Sequence, residues 1–172
     1  MHKKKLKYRV TYLEMNRKPS FGWPKNFKHK LSILLAESFP AWYFLFFYKQ
    51  VGKNYYWTDW LIKSEDEIDE FVNDNNVLLY TLIKDGWPVG FYMLDYRKKD
   101  ICDLSFFGLV DEVIGIGLGK YLLQTAILTA WDSKKIKKLT VNTCSLDHKS
   151  AIYLYQKYGF TPVKYKDLEK TV

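Results

Sequence analysis

Apolar and polar positions alternate along residues 8–15, a period of two that predicts an opening strand. Further strand-like runs occupy residues 77–84, 89–96, 101–110 and 139–143, and a last one lies near residues 161–165. Asp85-Gly86 reads as a hairpin turn between residues 77–84 and 89–96, with Trp87-Pro88 lengthening the loop. Helical spacing fills the gaps. It begins at Leu31, breaks at Pro40, resumes over residues 41–50 and stops at Gly52, with Trp42, Leu45, Phe46 and Lys49 as its packing stripe. Ser64-Glu65-Asp66-Glu67 is a capping box that starts a short helix ending near Asn73. Two more helical patterns cover residues 120–131 and 151–158, the second closed by Gly159. Residues 16–30, with Pro19, Gly22 and Pro24, read as a long loop. Strands interleaved with helices predict an α/β fold.

Bulk properties set the frame. The 172 residues suit one α/β core, and no repeat or linker divides residues 1–172, so one domain is expected. Hydrophobic residues make up 48% and are dispersed, which excludes disorder. The longest apolar stretch, residues 41–48, is too short to span a bilayer, and the start Met1-His2-Lys3-Lys4-Lys5 has no apolar run behind it. A cytoplasmic protein with no membrane partner is expected. Cys102 and Cys144 stand alone, giving neither a metal motif nor a disulfide framework. No metal is expected. The net charge of +8 favours anionic partners. Its densest cluster, Lys134-Lys135-Ile136-Lys137-Lys138, falls in a helix-to-strand turn and lacks interleaved aromatics, so it reads as solvated rather than as a nucleic-acid surface.

The chemistry starts at Gly115-Ile116-Gly117-Leu118-Gly119-Lys120, between a strand and a helix. Glycines there let backbone N–H groups face an anion, and the helix adds its positive end. A Walker A loop is excluded, because Gly115 lies only four residues before Gly119 and Tyr121 stands where a hydroxyl must follow the lysine. A dinucleotide fingerprint is excluded by the spacing and by the late position in the chain. The bland reading is a tight strand-to-helix turn.

The surroundings argue against that reading. Ile114 to Gly119 followed by Leu122-Leu123, together with His148 to Phe160, resembles the GCN5-related N-acetyltransferase (GNAT) superfamily. Its cofactor loop reads Arg/Gln-x-x-Gly-x-Gly/Ala, and its later signature reads Asn-x-x-Ala-Ile-x-Leu-Tyr-x-Lys-x-Gly-Phe. This chain departs twice, with Ile114 for the Arg or Gln and His148 for the Asn. Phe106-Phe107-Gly108-Leu109 and residues 142–148 resemble a narrower bacterial subgroup that fixes no substrate.

The resemblance implies a mixed central sheet of six to seven strands flanked by helices, with the fourth and fifth strands splayed. It implies acetyl-CoA as donor, with Phe107, Gly108 and Leu109 along the pantetheine arm. Gly115, Ile116, Gly117, Leu118, Gly119 and Lys120 would surround the pyrophosphate. Tyr155 occupies the position of the family's general acid, and a phenol suits a leaving thiolate because their pKa values lie close. Tyr153 and Tyr158 read as core residues. Asp103, eleven residues before Ile114, is the candidate base, acting through water; Glu112 and His148 are the other options. The acceptor groove would be walled by residues 42–60, with Asp59 as a partner for a substrate ammonium.

The favoured reading is an acetyl-CoA-dependent N-acetyltransferase acting on a small-molecule or peptide amine by direct transfer. Transfer of another acyl group or to an oxygen nucleophile, and a non-catalytic acyl-CoA-binding module, are the alternatives. A homodimer stays open.

Overall fold

In the computed structural model, which describes residues 5–25 and 30–171, the chain runs through β1 (Lys5–Met15), β2 (Leu31–Ala36), α1 (Ala41–Gly52) and α2 (Glu65–Val72). It continues through β3 (Val77–Lys84), β4 (Trp87–Asp95), β5 (Ile101–Leu109), α3 (Leu118–Ser133), β6 (Lys138–Cys144), α4 (Ala151–Lys157) and β7 (Thr161–Thr171). The basic start at residues 1–4 and residues 26–29 of the expected loop lie outside the described residues.

Strand β4 shows why the layers form. Phe91 and Met93 enter one apolar cluster with Phe44 and Phe47 of α1 and Phe71 of α2. Tyr92 and Leu94, on the opposite face, join Leu122, Ala126 and Ile127 of α3. Alternation of two apolar sets along one strand needs a helix layer on each side. The seven strands follow the order β2-β3-β4-β5-β6-β1-β7, with β5 and β6 parallel and every other pair antiparallel. Two tyrosines tie α3 to this sheet: the Tyr92 hydroxyl lies 3.1 Å from Thr129 Oγ1, and the Tyr96 hydroxyl donates to the Ala130 carbonyl at 3.0 Å.

Several elements differ from the sequence expectation. Residues 31–36 are a strand rather than helix, because the Leu31 and Ile33 side chains alternate onto the sheet and the backbone pairs with β3 from Leu31–Lys84 to Ala36–Leu79. Six residues fit either period, and the free edge of β3 decides between them. In α1 the buried set is Ala41, Phe44, Phe47, Tyr48 and Val51, while Trp42 is 66% exposed. The packing stripe is thus rotated from the expected one. Asp85 and Gly86 both take positive φ and close a two-residue turn from Lys84 to Trp87, so Trp87-Pro88 belongs to the strand. A bulge between Leu82 and Ile83 accommodates Pro88. The capping box forms as expected, with Ser64 and Glu67 bonded reciprocally.

Helix α1 reaches the sheet at one point of close approach. A Cβ added to Gly108 would meet Val51 Cγ1 at 2.2 Å. Gly108→Ala is expected to destabilise the fold by about 1–3 kcal/mol. Val51→Ala in the same chain should restore part of that loss, which a double-mutant cycle by denaturant unfolding measures.

Burial raises the pKa of Tyr48 to about 12 and moves Tyr92, Tyr96 and Tyr155 higher still. Each keeps its proton in the folded state above pH about 10, where an unfolded tyrosine loses it. The unfolded state then binds fewer protons, so stability falls with rising pH. Urea midpoints should show no contribution from these tyrosines below pH about 9 and a steep decline above pH about 10.

Candidate active site

Two strands that separate create the site. β5 and β6 pair at Ile101–Lys138, Cys102–Leu139 and Asp103–Thr140, and the pairing stops there. Yet β5 runs on to Leu109 and β6 to Cys144. The β6-facing amides and carbonyls of β5 therefore border a gap, where a desolvated polar group without a partner costs about 1–3 kcal/mol. A cleft of about 530 Å³ occupies it.

Residues 104–109 of β5 form the bed of the cleft. Met93 pairs with Phe106 and Leu94 with Leu104, so Ser105 is an extra residue on β5 and bends the strand. Val51, Tyr55 and Trp57, from α1 and the connection after it, form one wall; Ala151, Leu154 and Tyr155 of α4 form another.

The glycine loop closes one end. Gly115 and Gly117 have φ of +90° and +91°, a left-handed conformation that only glycine adopts readily. Leu118 and Leu122 are fully buried and pin the first turn of the 16-residue α3. That fixes the helix start, with its free amides, at the cleft. Lys120 lines the same end, and its side chain has no ion pair among the described residues.

Of the residues assigned to the donor, Phe107, Gly108, Leu109, Gly115, Gly117, Gly119 and Lys120 line this cleft. Ile116 lies on the outer side of the loop, in a second depression shared with Trp23 and Gln124. The Leu118 side chain is core, which leaves only its backbone for an anion. Ile114, 39% exposed, faces the cleft where the family carries a polar side chain. A chain of unpaired strand amides leading to a positive helix end fits an extended amide-bearing arm ending in phosphates, which is the shape of coenzyme A.

Tyr155 lines the cleft from α4 and is 5% exposed, with its ring centroid 6.1 Å from that of Phe107 and 5.8 Å from that of Phe160. Burial, then the charges of Asp147 and Asp103, push its hydroxyl above the ordinary tyrosine range. It holds its proton at neutral pH. Asp103 stands at the closed end, on the last paired position of β5, and does not line the cleft. Ser105 Oγ and Thr140 Oγ1 donate to its two oxygens at 2.8 and 2.6 Å. Burial pushes its carboxyl up from the aspartate range, the two hydroxyls pull it down, and Asp95 raises it. Glu112 is exposed in a single turn after β5, away from the cleft. His148 reaches the cleft at the start of α4, with Nδ1 2.7 Å from Ser150 Oγ.

Other positions depart from the expectation, although Tyr153 also lines the cleft. Tyr153 is 72% exposed instead of core, while Tyr158 is half-buried against Phe21. Asp59 forms an ion pair with Lys170 at 2.8 Å, so it has no free charge for a substrate ammonium. In the basic turn, Lys137 and Lys138 pair with Asp100 and Glu14, and Lys134 lies over the Tyr96 ring. No described helix is long and apolar enough to cross a membrane.

Sequence reasoning missed Asp147. It lines the cleft and accepts bonds from Trp57 Nε1, Thr143 Oγ1 and the Cys144 amide. An aspartate just before a helix reads as a helix-start residue. Only the contact with Trp57, 90 positions away, reveals its place in the site.

The comparisons with known proteins agree with this geometry. The sequence matches the acetyltransferase (GNAT) family over residues 36–160. No curated protein matches it. Among solved structures, a GCN5-related N-acetyltransferase from Kribbella flavida is 15% identical with a TM-score of 0.63, over 95% of this chain and 57% of that one. A GNAT acetyltransferase from Elizabethkingia anophelis with acetyl-CoA bound is 23% identical with a TM-score of 0.57, over 78% of each chain. An aminoglycoside acetyltransferase from an uncultured soil sample, in complex with sisomicin, is 16% identical with a TM-score of 0.59, over 75% of this chain and 87% of that one. This chain spans only 51% to 62% of the length of three of the longer structures it matches. The family match covers well over half of the 172 residues and includes the whole open edge of β5, and on that ground the chain belongs to the acetyltransferase (GNAT) family.

Proposed function

We propose that the protein moves an acetyl group from acetyl-CoA to an amine by direct transfer within one complex of donor and acceptor. The observation that carries this reading is the open edge of β5 beyond Asp103, leading to the left-handed glycines at the start of α3. Residues 107–109 would pair with the amides of pantetheine as a neighbouring strand does, and the Gly115–Lys120 amides and the Lys120 ammonium would hold the pyrophosphate.

Bound acetyl-CoA supplies a thioester whose acyl carbon is the electrophile. The acceptor ammonium first gives one proton to solvent water, its freed nitrogen lone pair bonds to that carbon, the carbon–sulfur bond breaks, and two further proton transfers complete the exchange. Tyr155 gives its proton to the leaving thiolate; its raised pKa keeps that proton in place until negative charge develops on sulfur. Asp103 takes the amine's proton through a water, since it stands at the closed end without lining the cleft and both its oxygens already accept hydroxyl bonds. Burial brings its pKa closer to neutrality, which makes it a better base than an exposed aspartate.

The family's reaction in its general form is acetyl transfer from acetyl-CoA, and an amine acceptor is favoured by the chemistry of the walls. Tyr55 and Trp57 place aromatic rings on the cleft wall, and Asp147 places a carboxylate there. A metal has no role in this scheme.

Tyr155→Phe should lower kcat by about 10²-fold or more while calorimetric coenzyme A affinity stays within about twofold. Equal single-turnover rates in the two proteins would remove Tyr155 from the chemistry. Gly117→Glu forces a side chain into a left-handed position and adds a negative charge beside the pyrophosphate site. Its coenzyme A Kd should rise by about tenfold or more, because the free loop relaxes and binding must restore a left-handed residue at a cost of about 1–2 kcal/mol, against a like charge as well.

A further inference from the structure

Asp147 has no part in the steps above, and its surroundings are those of a binding group. It stands in the turn between β6 and α4 and lines the cleft. Thr143 Oγ1 and the Cys144 amide donate to Oδ2 at 2.9 and 2.7 Å, and Trp57 Nε1 donates to Oδ1 at 3.1 Å. These bonds fix the carboxylate from two sides. All three donors are neutral, and no basic side chain pairs with it among the described residues.

The neighbouring acids are treated differently. Asp111, the other carboxylate acting on Tyr55, takes Lys53 at 3.2 Å and Asn54 at 2.6 Å. Asp59 takes Lys170. Of these three acids, Asp147 alone has no basic partner among the described residues, and it is the one that lines the cleft. Its charge reaches both adjoining phenols: after burial it is the largest cause of the raised Tyr155 pKa, and it adds to burial and Asp111 at Tyr55. Oδ1 accepts only the indole N–H, so a carboxylate lone pair remains for a cleft ligand. Beside it lie the rings of Trp57 and Tyr55, and Phe106 stands 6.0 Å from Trp57.

An uncompensated carboxylate bordered by aromatic faces recognises an ammonium carried on an apolar body. We propose that Asp147 selects the acceptor, receiving the primary ammonium of an amine whose flat apolar part lies against Trp57 and Tyr55. The indole then has two tasks, since its ring contacts the acceptor and its N–H aims the carboxylate. An alcohol of the same shape gains the ring contacts but forfeits the charge, so the site discriminates amines from hydroxyl acceptors. This inference rests on the acetyl-transfer reading of the cleft.

The test uses protein saturated with coenzyme A and follows the Trp57 indole N–H resonance, assigned by its loss in Trp57→Phe. Tyramine and tyrosol, which differ only in ammonium against hydroxyl, are titrated separately. Tyramine should shift the resonance saturably, and tyrosol should bind at least about tenfold more weakly, as expected for loss of a charged hydrogen bond. Asp147→Asn should bring tyramine down to the tyrosol level with coenzyme A affinity within about twofold of wild type. Equal binding of the two probes, no saturable tyramine shift, or undiminished tyramine binding in Asp147→Asn overturns the proposal. So does a parallel fall in coenzyme A affinity, which would make Asp147 a donor-site residue. If Asp147→Asn does not fold, the comparison of the two probes on wild type decides alone. Failure of the wild-type protein to bind coenzyme A is a separate result, and it removes the acetyl-transfer reading itself.

Discussion

The end of pairing between β5 and β6 at Asp103–Thr140 is the constraint on which the rest of the molecule depends. Each strand remains held on its outer side beyond that point: β4 pairs with β5 as far as Gly90–Leu109, and β1 pairs with β6 from Met15–Leu139 to Val10–Cys144. The sheet is therefore two firm halves, β2-β3-β4-β5 and β6-β1-β7, hinged on three residue pairs. Opening the inner edge exposes backbone donors and acceptors without loosening either strand. A cleft made this way is rigid and already has the polar pattern of a missing strand.

Helices enforce the opening. α3 is the crossover between β5 and β6, and its buried leucines share one apolar cluster with Leu104 of β5 and Leu139 and Val141 of β6. Its first turn is thereby fixed beside the end of β5. From the opposite face, α1 presses Val51 onto Gly108, which brings the connection carrying Tyr55 and Trp57 over the cleft. That connection is tied down at three places: to Asp111 by Lys53 and Asn54, to Asp147 by Trp57, and to β7 by Lys170 at Tyr56 and Asp59.

Charge is spread around the same opening. The helix start and Lys120 lie beyond the end of β5, Asp103 sits at the closed end of the fork, and Asp147 stands in the turn after β6. The buried Tyr155 phenol feels both carboxylates, which oppose its ionisation.

The sequence by itself determined the local features that short-range rules control. The left-handed loop at Gly115 and Gly117, the capping box at Ser64 and the sequence of element types from residue 77 onward were legible, because each rests on spacing within about a dozen residues, whereas Tyr155 was singled out by the family resemblance and not by spacing. Residues 31–36 were not, since a short apolar run acquires its period only from the strand beside it. Nor was the buried face of α1, where a nearly continuous aromatic run leaves the choice to Phe91 and Phe106 across the interface. Tertiary structure alone paired Asp59 with Lys170 and left Asp147 without a cation, because those relations join positions 111 and 90 residues apart. The open edge of β5 and the glycine loop belong to one contiguous stretch and could be read. The surroundings of Asp147 are assembled from distant segments, and only folding brings their charges into account.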